Sequence, residues 1–184
     1  MYTLRFDGLY RELNRGNPNS TQAGLMCYGW LISKGNKVIA QGHGACVRGW
    51  GTSSNVAEYL ALIEGLDALL DLGVRNKPVK ILGDEKSIID QMAGRSGVSS
   101  AVIWPLYRRA RAFSSKFSRL QWDWTPRKAN RAADELTRHA LNRIFYVEQN
   151  MKLALAAIQT HDGRAKNTKP LRHILDLRVY QPVL

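Results

Sequence analysis

The stretch Leu25-Met26-Cys27-Tyr28-Gly29-Trp30-Leu31-Ile32-Ser33-Lys34-Gly35-Asn36-Lys37-Val38-Ile39-Ala40 consists of two apolar and aromatic runs with a Gly-Asn pair between them. Such runs read as strands, and Gly-Asn supplies the backbone freedom that a tight hairpin demands. The two runs extend over residues 24–33 and 37–47. Upstream, Tyr2-Thr3-Leu4-Arg5-Phe6-Asp7 alternates apolar and polar residues, as a third strand does. The turn cluster Gly16-Asn17-Pro18-Asn19-Ser20 separates it from the hairpin. The first quarter of the chain is therefore expected to be a three-stranded antiparallel meander.

Downstream the pattern changes. A Gly/Ser/Thr loop over 49–54 precedes a helix predicted for Asn55 to Leu72, with Gly73 as its stop. Val79 to Leu82 is a short apolar strand that ends in Gly83-Asp84. Helices follow at Glu85–Met92 and Trp104–Phe117, separated by the flexible stretch Gly94–Ser100. Leu120 to Trp124 alternates again as a strand and Thr125-Pro126 ends it, after which residues 131–142 read as a helix. Strands that first meander and then alternate with helices imply an α/β fold. The expected sheet is mixed and five-stranded, three antiparallel strands and then two parallel, with helices on both faces. Residues 1–142 make one domain in this reading. Residues 143–184 form a C-terminal extension, a helix over Val147–Ile158 and then a basic tail; Leu171–Leu184 fits no single pattern.

Composition narrows the function. Among 184 residues, 27 Lys/Arg face 15 Asp/Glu, a net charge of +12, which points to a polyanionic partner. The excess is local: Arg95 to Arg131 carries 9 basic residues and one acid, Asp123, a net of +8. Residues 143–184 carry 7 basic and 3 acidic residues, a net of +4. No apolar run approaches the roughly 18 residues of a membrane span. Met1 to Phe6 lacks the layout of a signal peptide, so a cytoplasmic protein with no membrane partner is expected. Cys27 and Cys46 lie in strand-like runs without metal-ligand spacing and read as buried free thiols.

Against this basic background, four acids occupy poor surroundings. Glu58 heads the apolar stripe Ala61, Leu62, Gly65, Leu66 and Leu69 of its helix, where a carboxylate needs a cation. Glu64 and Asp71 lie off that stripe and are expected to be solvated. Asp84 follows the apolar strand Val79–Leu82, at the strand end where open α/β sheets bind ligands. Asp7 ends the first strand beside Gly8, and Asp134 lies in the first turn of the last core helix. Carboxylates without His or Cys are hard oxygen ligands, suited to magnesium or manganese rather than zinc.

These residues fall into motifs that resemble type 1 ribonuclease H from about Thr3 to Leu141. The motifs are Phe6-Asp7-Gly8 with Gly16-Asn17-Pro18, and Thr52-Ser53-Ser54-Asn55-Val56-Ala57-Glu58. They continue with Ile81-Leu82-Gly83-Asp84, then Trp122-Asp123-Trp124-Thr125-Pro126-Arg127 and Asn130-Arg131-Ala132-Ala133-Asp134-Glu135-Leu136. The resemblance implies a ribonuclease H-like fold and a nuclease that cuts the RNA strand of an RNA–DNA hybrid with two magnesium ions, manganese being a substitute. It implies that the cut leaves 3′-hydroxyl and 5′-phosphate ends. By the same resemblance Asp7 bridges both ions, Asp134 holds the ion that activates water, and Glu58 and Asp84 hold the other. Asn17, Ser53 and Asn55 match hybrid contacts. Basic residues Arg108, Arg109, Arg111, Arg127 and Lys128 are expected to contact nucleic acid.

The sequence departs from the best-known family pattern at several points. The loop Pro126-Arg127-Lys128-Ala129-Asn130 has no His, and Arg127 is the candidate for its place. Glu85 follows the third acid where Ser is usual, and reads as a helix N-terminal residue. A separate basic protrusion is not evident, and the helix with Arg108, Arg109, Arg111 and Lys116 is the candidate substitute. The alternative functions are a non-catalytic nucleic-acid-binding module of the same fold, or a nuclease of other specificity such as a structure-specific DNA nuclease. Proofreading-type exonucleases fit poorly, because Asp7-Gly8-Leu9 lacks their Asp-x-Glu pair. The enzyme is expected to be a monomer. Its extension is expected either to pack as a helix on the core or to add to the nucleic-acid footprint or dock a protein partner.

Overall fold

The computed structural model describes residues 1–13, 24–48, 51–159 and 171–181. The Gly16-Asn17-Pro18 turn lies outside them. The elements are β1 (Tyr2–Glu12), β2 (Gly24–Lys34), β3 (Lys37–Arg48), α1 (Ser54–Asp71), β4 (Val79–Gly83) and α2 (Lys86–Met92), then α3 (Trp104–Ser114), β5 (Leu120–Trp124), α4 (Arg131–Tyr146), α5 (Glu148–Gln159) and β6 (Arg172–Tyr180). A single 3-10 turn, Arg127–Ala129, joins β5 to α4.

The sheet runs in the order β5-β4-β1-β2-β3-β6. β1, β2 and β3 form the predicted antiparallel meander, closed by Gly35 at φ +61° in the hairpin. Gly tolerates this left-handed backbone where a Cβ would clash. β4 is parallel to β1, and β5 is parallel to β4. The expected five strands become six, because β6 pairs antiparallel with the outer edge of β3 from Ala40↔Tyr180 to Val47↔Arg172. Two features hide this strand in the sequence. A register shift opposite Ala45 and Cys46, where Ile174 is skipped in the pairing, breaks the period-two alternation of β6 itself. The charged residues Asp176 and Arg178 also interrupt its apolar pattern.

Helices cover both faces, so β2 is buried over nearly its whole length. Met26, Tyr28, Trp30 and Ile32 point to one face, with Leu4 and Phe6, under α1, α2 and α3. Leu25 and Cys27 point to the other, where Ala45 and Val47 meet Ala140 and Ile144 of α4 and Ala154 of α5. α4 runs through residue 142 to Tyr146, so the expected boundary there falls within a helix. Cys27 and Cys46 are buried free thiols. No described helix is long and apolar enough to cross a membrane.

A chain ending after Asn142 loses the last turn of α4, all of α5 and the strand that covers the β3 edge. An unpaired edge invites aggregation, and the cluster under α4 loses Ile144 and Ala154. Its thermal midpoint, followed by circular dichroism, is expected to fall by roughly 10 °C or more.

Candidate active site

The sheet brings Asp7 and Asp84 together through strand register. β1 and β4 pair in parallel up to Arg5↔Leu82, and two further residues along each chain place Asp7 beside Asp84. Glu58 arrives from above on α1. That approach depends on Gly8: a Cβ there would lie 2.1 Å from the Glu58 backbone nitrogen, so a larger residue would force helix and strand apart. One carboxylate oxygen from each of Asp7, Glu58 and Asp84 lies within 4.8 Å of the others. Asp7 is 3% exposed and Glu58 6% exposed.

Two of these acids, Asp7 and Glu58, resist ionisation. Burial and the nearby Asp84 raise Asp7 from 3.8 to about 7, although Thr137 hydrogen-bonds to it. Glu58 is raised well above its usual range by burial and by Asp7 and Asp84, despite a hydrogen bond from the Gly8 backbone. Glu58 Oε2 is closed to solvent and has no hydrogen-bond partner. A carboxylate that keeps a buried, unpartnered oxygen and lies close to two more carboxylates suits a hard divalent cation, so the residues present fit magnesium or manganese.

The fourth acid stands differently. Asp134 is not one of the three clustered acids. Arg127 Nη2 donates to its Oδ1 at 3.2 Å, and Arg138 Nε donates to its Oδ2 at 2.7 Å. Partial burial works to raise Asp134, but the hydrogen bonds from Arg138 and Arg127 outweigh it and hold the group below its usual range. Thr137 links Asp134 to the cluster. Its Oγ1 lies 3.0 Å from Asp7 Oδ2 and 2.7 Å from the Asp134 carbonyl oxygen, so its single proton can serve either acceptor.

Two residues that the sequence reading quoted in motifs but gave no role brace the cluster. Asn130 is fully buried, and its Nδ2 donates to the Phe6 carbonyl at 2.8 Å and to Asp84 Oδ1 at 3.1 Å. It thereby ties β1 to the residue after β4. Trp124 Nε1 donates to the Asp84 carbonyl at 2.9 Å while its ring stays 48% exposed. The i, i+3 spacing of Asp134 and Thr137 on a helix was a usable signal for Thr137. Nothing local distinguishes Asn130 from a turn residue.

The remaining predicted residues are dispersed. Ser53 caps α1, accepting from the Val56 backbone N–H at 3.3 Å, and Asn55 is half-buried in the first turn. Glu85 caps α2, accepting from the Ser87 N–H at 3.1 Å. Arg108 and Arg109 are exposed on α3, whereas Arg111 Nη1 donates to the Met92 carbonyl at 3.1 Å. Arg127 and Lys128 lie exposed in the 3-10 turn. Asn17 falls outside the described residues. Glu64, expected to be solvated, is instead 5% exposed and paired with Arg178 of β6, a partner beyond any local sequence window.

A family model described as reverse transcriptase-like matches residues 17–140. The chain is similar to the bifunctional protein Rv2228c of Mycobacterium tuberculosis, 36% identical over 129 residues, which is 70% of this chain and 33% of that protein. It thus spans about a third of that relative's length. It is also similar to a ribonuclease HI of Halobacterium salinarum, 30% identical over 138 residues, 74% of this chain and 62% of that one. Among solved structures, the N-terminal RNase H domain of Rv2228c from Mycobacterium tuberculosis superposes with a TM-score of 0.63 at 31% identity, over 77% of this chain and 93% of that one.

The electrostatics of the cluster set a pH dependence. A carboxyl raised on folding costs no stability below its unfolded pKa near 3.8; the cost grows as pH rises and is complete above about 7. Asp7→Asn removes that cost. Without divalent cations, the variant is expected to melt close to the wild type at pH 4 and roughly 10 °C above it at pH 7.5. Thermal melts across that range check the sign.

Proposed function

Because the chain belongs to the reverse transcriptase-like family and has the fold of a type 1 ribonuclease H, we propose that it hydrolyses the RNA strand of RNA–DNA hybrids. The reading includes endonucleolytic cleavage that leaves 3′-hydroxyl and 5′-phosphate ends. The observation that carries it is the cluster of Asp7, Glu58 and Asp84, in which Glu58 keeps a buried, unpartnered Oε2, in a chain of net charge +12. A basic protein that concentrates acids at one strand end is built to place metal ions against a phosphate backbone. Asp7, Glu58, Asp84 and Asp134 are the proposed ligands of two magnesium ions, with manganese as a substitute. Bound there, the ions would neutralise charge on the scissile phosphate and make a water nucleophilic at neutral pH.

The chain's own residues then have separate tasks. Asn130 and Trp124 hold Asp84 in place, and Thr137 orients Asp7. Arg127, 69% exposed on its side chain, is free to trade Asp134 for a substrate phosphate. Arg108 and Arg109 on α3 and Lys128 beside the site extend the positive surface that receives the duplex. Asn55 and Asn17 are proposed to read the hybrid, whose 2′-hydroxyls distinguish RNA from DNA. Ser53 is proposed to grip a DNA-strand phosphate. The buried reduced thiols Cys27 and Cys46 agree with a cytoplasmic setting, and the proposed enzyme acts as a monomer. The double ion pair on Asp134 favours one competitor, a module that binds hybrid without cutting it.

One assay separates these readings: a labelled RNA–DNA hybrid, its two single strands, and the pure RNA and DNA duplexes, each with and without magnesium. Cleavage confined to the RNA of the hybrid and dependent on magnesium is expected. Asp7→Asn is expected to abolish cleavage and leave hybrid affinity equal or better, because it removes a negative charge facing a polyanion. Binding without cleavage by the wild type would establish the competitor. In the same system, Arg108→Ala with Arg109→Ala is expected to lower the log–log salt slope of binding by roughly one unit for each phosphate that is no longer neutralised. Single-turnover cleavage of the bound complex should not change.

A further inference from the structure

The side of α1 away from Glu58 carries a second ionic assembly. Glu64, Asp67 and Asp71 recur at spacings of three and four, so they share one stripe of the helix. Arg178 reaches them from β6: Nη2 donates to Glu64, and Nη1 donates to Asp67 at 3.0 Å and to Asp71 at 3.3 Å. Tyr180 Oη donates to Asp71 at 2.8 Å, two residues further along the strand. The strand is itself fixed, because the buried Tyr28 of β2 donates to Asp176 at 3.1 Å and β6 is laddered to β3. Arg178 has a side chain only 22% exposed, and Glu64 is 6% exposed on its side chain. An arginine fork on three carboxylates is directional, so it fixes an angle as well as a distance.

We propose that Arg178 is a positioning residue for Glu58: by holding the acidic stripe of α1, it sets the rotation of the helix about its own axis and so the place of the Glu58 carboxylate. Gly8 and the apolar stripe fix how closely α1 lies on the sheet. Apolar burial is non-directional, so the ion-pair fork adds a directional restraint to it. A carboxylate about 5.5 Å from a helix axis moves about 1 Å for a 10° roll. Displacement of that size at a catalytic group can cost roughly a hundredfold in rate. The C-terminal strand thereby becomes part of the catalytic apparatus without touching substrate. The inference rests on the proposed role of Glu58 as a metal ligand.

The test uses the full-length protein in three forms besides wild type: Arg178→Lys, Arg178→Met, and Arg178→Met combined with Glu64→Leu. Magnesium is titrated alone, by calorimetry and by its shift of the thermal midpoint, and cleavage of hybrid is resolved into kcat and KM. Arg178→Met leaves Glu64 buried without a partner and is expected to lose roughly 10 °C in Tm. The double variant removes the stranded acid and should recover most of that loss. If Arg178 positions Glu58, the recovered double variant still binds magnesium roughly tenfold more weakly, with kcat lowered more than KM is raised. Arg178→Lys should restore part of both. A double variant with wild-type Tm, magnesium affinity and kcat overturns the proposal and leaves Arg178 a purely structural residue. Should the double variant not fold, Arg178→Lys decides alone: a lysine cannot reproduce the fork, so unchanged magnesium affinity overturns the proposal. A wild-type protein that shows no response to magnesium removes the proposed function and this inference with it. A responsive wild type with unaltered variants removes this inference only.

Discussion

Three carboxylates within 4.8 Å of one another, two of them almost wholly buried, are costly to assemble, and much of the surrounding architecture is arranged around that cost. Burial and mutual repulsion both act against ionisation, which is why Asp7 moves up to about 7 and Glu58 is raised well above its usual range. Hydrogen bonds from the Gly8 backbone and from Thr137 offset part of the repulsion but do not remove it. What remains is a site that is least comfortable without a cation at the pH where the proposed reaction runs. The packing confines the acids: Gly8 admits α1 to the strand, and Asn130 binds the backbone of Phe6 and the carboxylate of Asp84 with one amide group.

Charge of the opposite sign is kept on the periphery. The exposed Arg108 and Arg109 lie on α3, and Arg127 and Lys128 lie exposed in the turn before α4. A field that attracts a polyanion from a distance is thus combined with a small negative interior that repels it at the last step. That combination suits the proposed reading, in which bound ions reverse the sign of the interior. It suits a simple nucleic-acid-binding surface less well, because such a surface gains nothing from three clustered acids.

The sequence disclosed the parts whose neighbours are local. The hairpin at Gly35-Asn36, the helix headed by Glu58 and the strand ending at Asp84 were legible from spacing and turn chemistry, and the structure brings their acids together. What stayed hidden was non-local. Asn130 looks like any polar turn residue until folding sets it against Phe6 and Asp84, more than forty positions away from either. Glu64 looks like a solvated helix residue until β6 delivers Arg178 across 114 positions. β6 itself was obscured because its ladder changes register and its Arg178 faces an acidic helix stripe instead of water.

Asp134 shows how the peripheral and interior charges connect. Its two arginine partners are largely exposed, and exposed ion pairs are weak because water competes for both ions. The carboxylate is therefore held ionised, below its usual range, by contacts that are easily exchanged. A phosphate backbone brings the same charge as Asp134 in a form that takes a guanidinium fork in bidentate fashion. On the proposed function, arrival of the polyanion favours transfer of Arg127 from Asp134 to phosphate, while Thr137 keeps the Asp134 backbone tied to Asp7. On that reading, the fourth acid gives up one of its two arginine partners when substrate is present, while the other three acids already lie together.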